Sequence, residues 1–584
     1  MTHRGIRGLF SKKRSREIHP DEIFLDSSNI QNFNRDQFEG RLEKPIPQKS
    51  LFFLGAFFFL ILIVFSAKAS SLQIIDSAKY KEMSENNRLR HDIIFAHRGV
   101  IKDRNDVTLA WNEFKEGRDF PVRMYTDKLG FSNILGYIKY PQKDTSGFYY
   151  TTQTVGQDGI EKYYDKDLAG KNGIKLTEVD VKGEVASDSD ILPPQNGEEL
   201  HLSIDARVQE TLADYLKKAV EASNFDGGAG VIMNIKTGEV LASVSYPEYD
   251  SEVMTEGKDS DAIKALFENK RKPFLERVSS GLYAPGSIVK PFVALGVLQE
   301  NIISPAKEIQ STGSISIPNP YDKDKVTIFK DWKAHGYTNL REAIAVSSDV
   351  YFYSVGGGYK DQKGLGILKL DEYVKKFLLG VKTEGFFEGP TGNVPTPEWK
   401  EKTFNGDKWV LGNTYHTSIG QYGFLVTPLQ MARAVGGIAR SGAMVEPTIL
   451  KGEKGNTTVV SGIDEKNYKE VRLGMQDAVL WGTAIALNIP QISVGAKTGT
   501  AEVGAKKEYV NSWIEGFFPF ENPEYSFAVV LERGPPKYQI SSMRVMGDTL
   551  KWMVVNTPEY TGGEKADKEE IEKLEVKEGV GDGR

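Results

Sequence analysis

Apolar and polar positions interchange at short range along most of this 584-residue chain, and one long run departs from that pattern. From Leu51 to Phe65 fifteen residues carry no polar side chain, and Ser66 and Ala67 extend the run. Seventeen helical residues at about 1.5 Å each span roughly 25 Å, close to a hydrocarbon core of about 30 Å. Lys49 and Lys68 flank the run, where their ammonium groups can snorkel to the two surfaces. A buried core helix and a cleaved signal peptide are the competing readings. Ala67-Lys68-Ala69 has the small-x-small form of a cleavage site, but the polar stretch ahead of it is far too long for a signal n-region. A single-pass anchor is therefore expected. Residues 1–16 hold Arg4, Arg7, Lys12, Lys13, Arg14 and Arg16 and no acid, which places that end in the cytoplasm and the remainder outside.

Beyond the anchor, residues 71–180 mix polar helical segments with short apolar strands. The stretch Ser187 to Glu199, SDSDILPPQNGEE, has the composition of a linker. After it Asp205 is the expected N-cap of a helix whose apolar positions Val208, Leu212, Tyr215, Leu216 and Ala219 follow a 3.6 period. Strands are predicted at 230–235 and 240–244, joined by the Lys236-Thr237-Gly238-Glu239 turn, and again at 493–501, 512–518 and 525–531. Helical patterns separate the early strands from the late ones. The fold class is thus α+β, an antiparallel sheet closed by the two ends of its own domain. Residues 562–584, rich in Glu and Lys, read as disordered.

Composition narrows the chemistry. The absence of cysteine excludes a disulfide scaffold, a thiol nucleophile, an iron–sulfur cluster and a cysteine zinc site. No two of the seven histidines are spaced as in HExxH, so no metal is expected. A net charge of −6 without a long basic block argues against a chain built to hold nucleic acid. A nucleophile, where there is one, is Ser, Thr, Lys or a carboxylate.

Tyr283-Ala-Pro-Gly286 signals a turn and leads into Ser287-Ile-Val-Lys290 and the apolar run to Leu298, a helix sunk in a core. Pro291 falls in the first turn, where a missing donor costs least. Residues i and i+3 share a helix face at about 5 to 6 Å between Cβ atoms. A lysine in apolar company is expected to lose its proton readily, and beside a hydroxyl it is a general base beside a nucleophile. The competing reading is a capping serine and a snorkelling lysine. Ser304-Pro-Ala-Lys307 has the same spacing in a polar stretch and is expected to be loop.

Asn339 and Glu342 form a capping-box pair opening a helix that ends near Val346, and Ser347-Ser348-Asp349 precedes another apolar run. By themselves a Ser and an acid there suit capping. Lys497-Thr498-Gly499-Thr500 lies on a predicted strand, where lysine and hydroxyls suit a carboxylate and the N–H near Thr500 can join that of Ser287 as an oxyanion pair. Lys236-Thr237-Gly238 repeats the tripeptide in a hairpin turn and is given a turn role.

SxxK, SxD and KTG in this order resemble the penicillin-recognising serine enzymes. The flanking segments 80–105, 156–168, 281–290 and 415–432 narrow the likeness to class B penicillin-binding proteins, over most of the chain as far as Thr557. The resemblance implies a serine β-lactamase-like transpeptidase domain at 200–557, a linker at 186–199, a pedestal at 70–185, an anchor at 50–69, a cytoplasmic tail at 1–49 and a disordered tail at 558–584. It implies that Ser287 attacks the carbonyl between the D-alanines of a peptidoglycan stem peptide and Lys290 takes its proton. Ser347 relays protons with Lys290 and Lys497, while Thr498, Gly499 and Thr500 bind substrate. A neighbouring stem supplies the acceptor amine, β-lactams trap Ser287, and no cofactor is required. Asp349 stands where the family more often has Asn, a variant of elongation-type penicillin-binding protein 2 enzymes. Ahead of the linker there is no signature of a glycosyltransferase domain, which implies a separate SEDS-family glycan polymerase. His97 and Arg98 are expected to be pedestal contacts. A β-lactamase or β-lactam sensor, a D,D-carboxypeptidase and a non-catalytic scaffold are the rival functions.

Overall fold

The computed structural model describes residues 48–80, 89–179, 185–319 and 322–562. The basic lead at 1–16 and residues 563–584 lie outside them, but the expected disordered tail at 558–584 does not begin as one: Pro558–Thr561 is a helical turn, with Tyr560 buried and its hydroxyl donating to Asp205 Oδ2 at 2.7 Å. Helix α1, Gln48–Ser70, takes in the whole apolar run and is long and apolar enough to cross a membrane. It belongs to one compact unit, and residues 91–178 together with residues from 185 onward form another.

Within the second unit the pedestal is built from short strands. β1 (Leu89–Ile94), β5 (Gly173–Val179) and β6 (Val185–Leu192) make a three-stranded sheet in the order β1-β5-β6. β2 (Ile101–Lys102), β3 (Thr108–Glu113) and β4 (Val122–Tyr125) make another, whose edge is β7 (Leu200–His201), parallel to β2. The stretch 186–199, whose composition reads as a linker, thus includes regular structure. Its first half is a strand, and the chain emerging from it adds directly to the pedestal's own sheet. Backbone pairing is the physical reason, and a Ser/Asp/Pro/Asn count carries no information about pairing partners.

Arg98, Arg123 and Glu161 are all buried in the pedestal. The Nε atoms of Arg98 and Arg123 donate to the two oxygens of Glu161, the second at 2.7 Å, and Arg98 also reaches Asp165 at 2.8 Å. Arg98 is thus a structural contact, as expected, and His97 is one too: its N–H donates to Asn196 Oδ1 and its ring edges Phe114. Replacing Glu161 by alanine leaves two buried guanidinium groups facing one another. The expected cost is about 3 to 5 kcal/mol, read as a lowered melting temperature, with Glu161→Gln less damaging.

The larger region from residue 200 onward is organised by α2 (Ala206–Ala222), capped by the Asp205 carboxylate on the Arg207 N–H, and by a five-stranded antiparallel sheet. Its strands are β8 (Gly227–Asn234), β9 (Val240–Tyr246), β10 (Gly495–Val503), β11 (Tyr509–Phe518) and β12 (Tyr525–Gly534), in the order β9-β8-β12-β11-β10. Early β8 pairs with late β12 over its whole length, so the two ends of the domain close the sheet as expected. Alternation along the strands divides the core. Ile514, Phe518, Phe527 and Val529 face one hydrophobic cluster, which α2 joins through Val208 and Leu212. Trp513, Phe517, Ala528 and Val530 face the other, where the buried helix α3 (Lys290–Gln299) lies.

Candidate active site

Ser287 lies in a 3-10 turn, Gly286–Val289, that runs into α3 with Pro291 in its first turn. The Lys290 N–H donates to the Ser287 carbonyl, the i to i+3 bond that carries the turn into the helix and keeps the two residues on adjoining turns. The turn seats against edge strand β10 because two positions carry no Cβ. On Gly286, at a φ of +57°, a Cβ would fall 2.8 Å from the Thr500 carbonyl oxygen. On Gly499 it would fall 2.9 Å from Ile288 Cγ2 and 3.0 Å from the Pro285 oxygen. Trp513 Nε1 donates to the Ala284 carbonyl at 2.9 Å and pins the approach to the turn.

The second arm comes from α4 (Leu340–Ala345), opened by the expected Asn339/Glu342 capping box. It ends in a Schellman turn: Ser348 N–H donates to the Ala343 carbonyl at 3.0 Å and Ser347 N–H to Ile344 at 3.3 Å. Ser347 occupies the left-handed position with a φ of +59°, where glycine is the usual residue. That backbone turns its carbonyl onto Lys290. Lys290 Nζ, fully buried, donates to the Ser347 carbonyl at 2.8 Å, to Ser347 Oγ at 3.3 Å and to Asp349 Oδ1 at 2.7 Å. Helix α5, Asp349–Gly357, is capped by Ser348. Burial pushes the Asp349 carboxyl above the usual carboxylate range, and Lys290 pulls it back.

On β10, Lys497 is fully buried and donates to the Thr498 carbonyl at 2.7 Å, while Thr498 Oγ1 donates to Thr483 Oγ1 at 2.6 Å. Burial pushes the Lys497 ammonium well below the lysine range, with repulsion from Lys290 added and Asp349 and Glu515 opposing. A cavity of about 490 Å³ gathers Ser287, Ser347, Asp349, Thr498, Gly499 and Thr500, all named from the sequence, with the two lysines beneath. Both decoys fall out: Lys307 closes a turn onto Ser304, and Lys236 and Thr237 donate their N–H groups to Asn234 Oδ1 between β8 and β9. Sequence reasoning passed over Asp331, whose Oδ2 accepts from Ser348 Oγ and the Val350 N–H, and over Trp332 and Thr483 in the cavity wall. No spacing rule ties these residues to the motifs they serve.

A hydroxyl at a helix start, a buried amine three residues on and an edge strand presenting lysine and threonine are the groups a serine acyltransferase would use. Comparison with known proteins says which kind. The penicillin binding protein transpeptidase domain matches residues 228–549 and the penicillin-binding protein dimerisation domain residues 118–202. The chain belongs to the penicillin-binding protein transpeptidase family. It is 30% identical to the peptidoglycan D,D-transpeptidase MrdA of Haemophilus influenzae, over 71% of this chain and 67% of that one. It is 27% identical to the MrdA of Acinetobacter baumannii, over 84% and 86%. A solved complex of PBP2 with MreC from Helicobacter pylori superposes with a TM-score of 0.64 at 27% identity, covering 80% of this chain and 98% of that one.

Proposed function

We propose that this protein cross-links peptidoglycan as a D,D-transpeptidase of the wall-elongation type. The observation that carries the reading is the convergence of Ser287, Lys290, Ser347, Asp349 and the strand Lys497 to Thr500 on one cavity in a chain of this family. Ser287 Oγ attacks the carbonyl between the two D-alanines and its proton passes to Lys290 in the free-amine form, the ammonium proton having left beforehand through the Asp349 and Ser347 contacts. The tetrahedral oxygen is held by the N–H groups of Ser287 and Thr500. D-alanine departs with a proton delivered through Ser347, leaving an acyl-serine. An amine from a neighbouring stem then attacks the ester, loses a proton to the same relay and frees the serine. Thr498, Gly499 and Thr500 seat the donor carboxylate beside the Lys497 charge.

A β-lactam, which presents a strained amide and a carboxylate, acylates Ser287 by the same route. The pedestal at 70–185, the transpeptidase domain at 200–557 and a cytoplasmic N-terminus ahead of an inner-membrane anchor belong to the same proposal. The six basic residues before the anchor support that orientation, with the catalytic domain on the outer face. A SEDS-family glycan polymerase would supply the strands, and a scaffold comparable to the MreC bound by the Helicobacter pylori neighbour would hold the pair.

Depletion in the native cell tests the reading. Rounded cells with fewer cross-linked muropeptides are the expected outcome, whereas filaments would transfer the protein to septation. Rapid release of hydrolysed penicillin by the purified protein would instead establish a β-lactamase.

A further inference from the structure

We propose that Glu515 is a positioning residue for the active-site lysine, holding positive charge on Lys497 from the neighbouring strand so that the cleft presents a cation to an anionic substrate. The inference rests on the acyl-transfer reading above and names a residue outside its motifs.

Lys497 and Glu515 are direct partners in the β10–β11 register, so their side chains leave the same face of the sheet at the closest cross-strand spacing. The next residue in that row is Ala528 on β12, and the same-face neighbours along β11 are Trp513 and Phe517. Glu515 thus stands where the pattern of the strand calls for an apolar side chain. It is fully buried, and among the described residues neither of its carboxyl oxygens has a hydrogen-bond partner. A carboxyl group in that position is far more costly than a leucine unless a charge answers it. Lys497, equally buried, is the charge that faces it.

The charged groups acting on Lys497 come from three elements: Lys290 on α3, Asp349 on α5 and Glu515 on β11. Asp349 is already engaged by Lys290 at 2.7 Å. Without Glu515, two buried lysines would share one carboxylate. Burial pushes the Glu515 carboxyl well up while Lys497 pulls it down, and burial drives Lys497 the opposite way. Each charge therefore offsets part of what burial costs the other, and an ionised Glu515 favours the ammonium form of Lys497 that an anionic substrate against Thr498 and Thr500 requires.

The test is the pH profile of the second-order rate of acylation by a fluorescent penicillin, measured on the full chain in detergent. Glu515 raises the proton affinity of Lys497, so removing its charge lowers that affinity. The lysine then loses its cation at lower pH. In Glu515→Gln and Glu515→Leu the alkaline limb should move down by about one pH unit or more, while Glu515→Asp should keep the limb near its original position. A limb that stays in place with only a lower plateau would mark a structural role and overturn the inference. Failure of all three variants to fold would do the same, since an apolar leucine fits this face by size and character. If the unsubstituted protein is not labelled at all, the acyl-transfer reading falls first, and this inference falls with it.

Discussion

Alanine at position 287 is expected to abolish covalent labelling by fluorescent penicillin, with the acylation rate reduced by about 10⁴-fold or more. The substitution isolates chemistry from folding. Ser287 is half-buried at the second position of a 3-10 turn whose cap involves no side-chain hydrogen bond, so the hydroxyl contributes little to holding the turn. The turn is fixed by Pro285, by the close seat of Gly286 on Thr500 and by the buried helix that follows, none of which alanine disturbs. The stability should accordingly change by no more than about 0.5 kcal/mol, leaving the melting temperature nearly unmoved. Ser304→Ala, at the other Ser-x-x-Lys spacing, should label normally because that serine closes a surface turn. Persistent labelling of Ser287→Ala would show that the nucleophile is another residue.

How far the molecule could be read from its residues depended on the distance over which each constraint acts. Ser287 and Lys290 are three positions apart, and a helical turn brings them together whatever the rest of the chain does. The alternation around Lys497 placed it on a strand for a similarly local reason. Ser347 and Asp349 were visible as polar residues between apolar runs, but nothing local revealed the left-handed turn at Ser347 that aims its carbonyl at Lys290. Asp331, which fastens Ser348 and the start of α5, reaches them through the fold. Glu515 had a signal that went unused: a single acid inside the apolar strand 512–518, which buried-charge reasoning marks as needing a partner. The stretch 186–199 has the composition of a linker, yet residues 186–192 belong to strand β6, because β5 offers that segment unpaired N–H and carbonyl groups.

Arginine in place of Lys290 is expected to lower acylation by about 10³-fold, almost as far as loss of the serine. The choice of arginine separates two roles of the lysine. Lys290 Nζ holds Asp349 at 2.7 Å, so an apolar replacement would leave a half-buried carboxyl without its charge partner and confuse destabilisation with lost catalysis. Arginine keeps the positive charge against Asp349 and retains donors for the Ser347 carbonyl. What it cannot do is give up a proton at working pH, because a guanidinium stays charged throughout the accessible range. Its extra bulk in a fully buried site costs about 1 to 3 kcal/mol in packing, a cost visible as a lowered melting temperature and separable from the rate. Raising the pH should restore nothing in this variant, whereas a lysine whose defect was only a shifted proton affinity would recover. If Lys290→Arg retains more than about a tenth of the original rate, proton abstraction from Ser287 belongs to another group. Lys497, the other fully buried amine beside the cleft, is then the one to replace next.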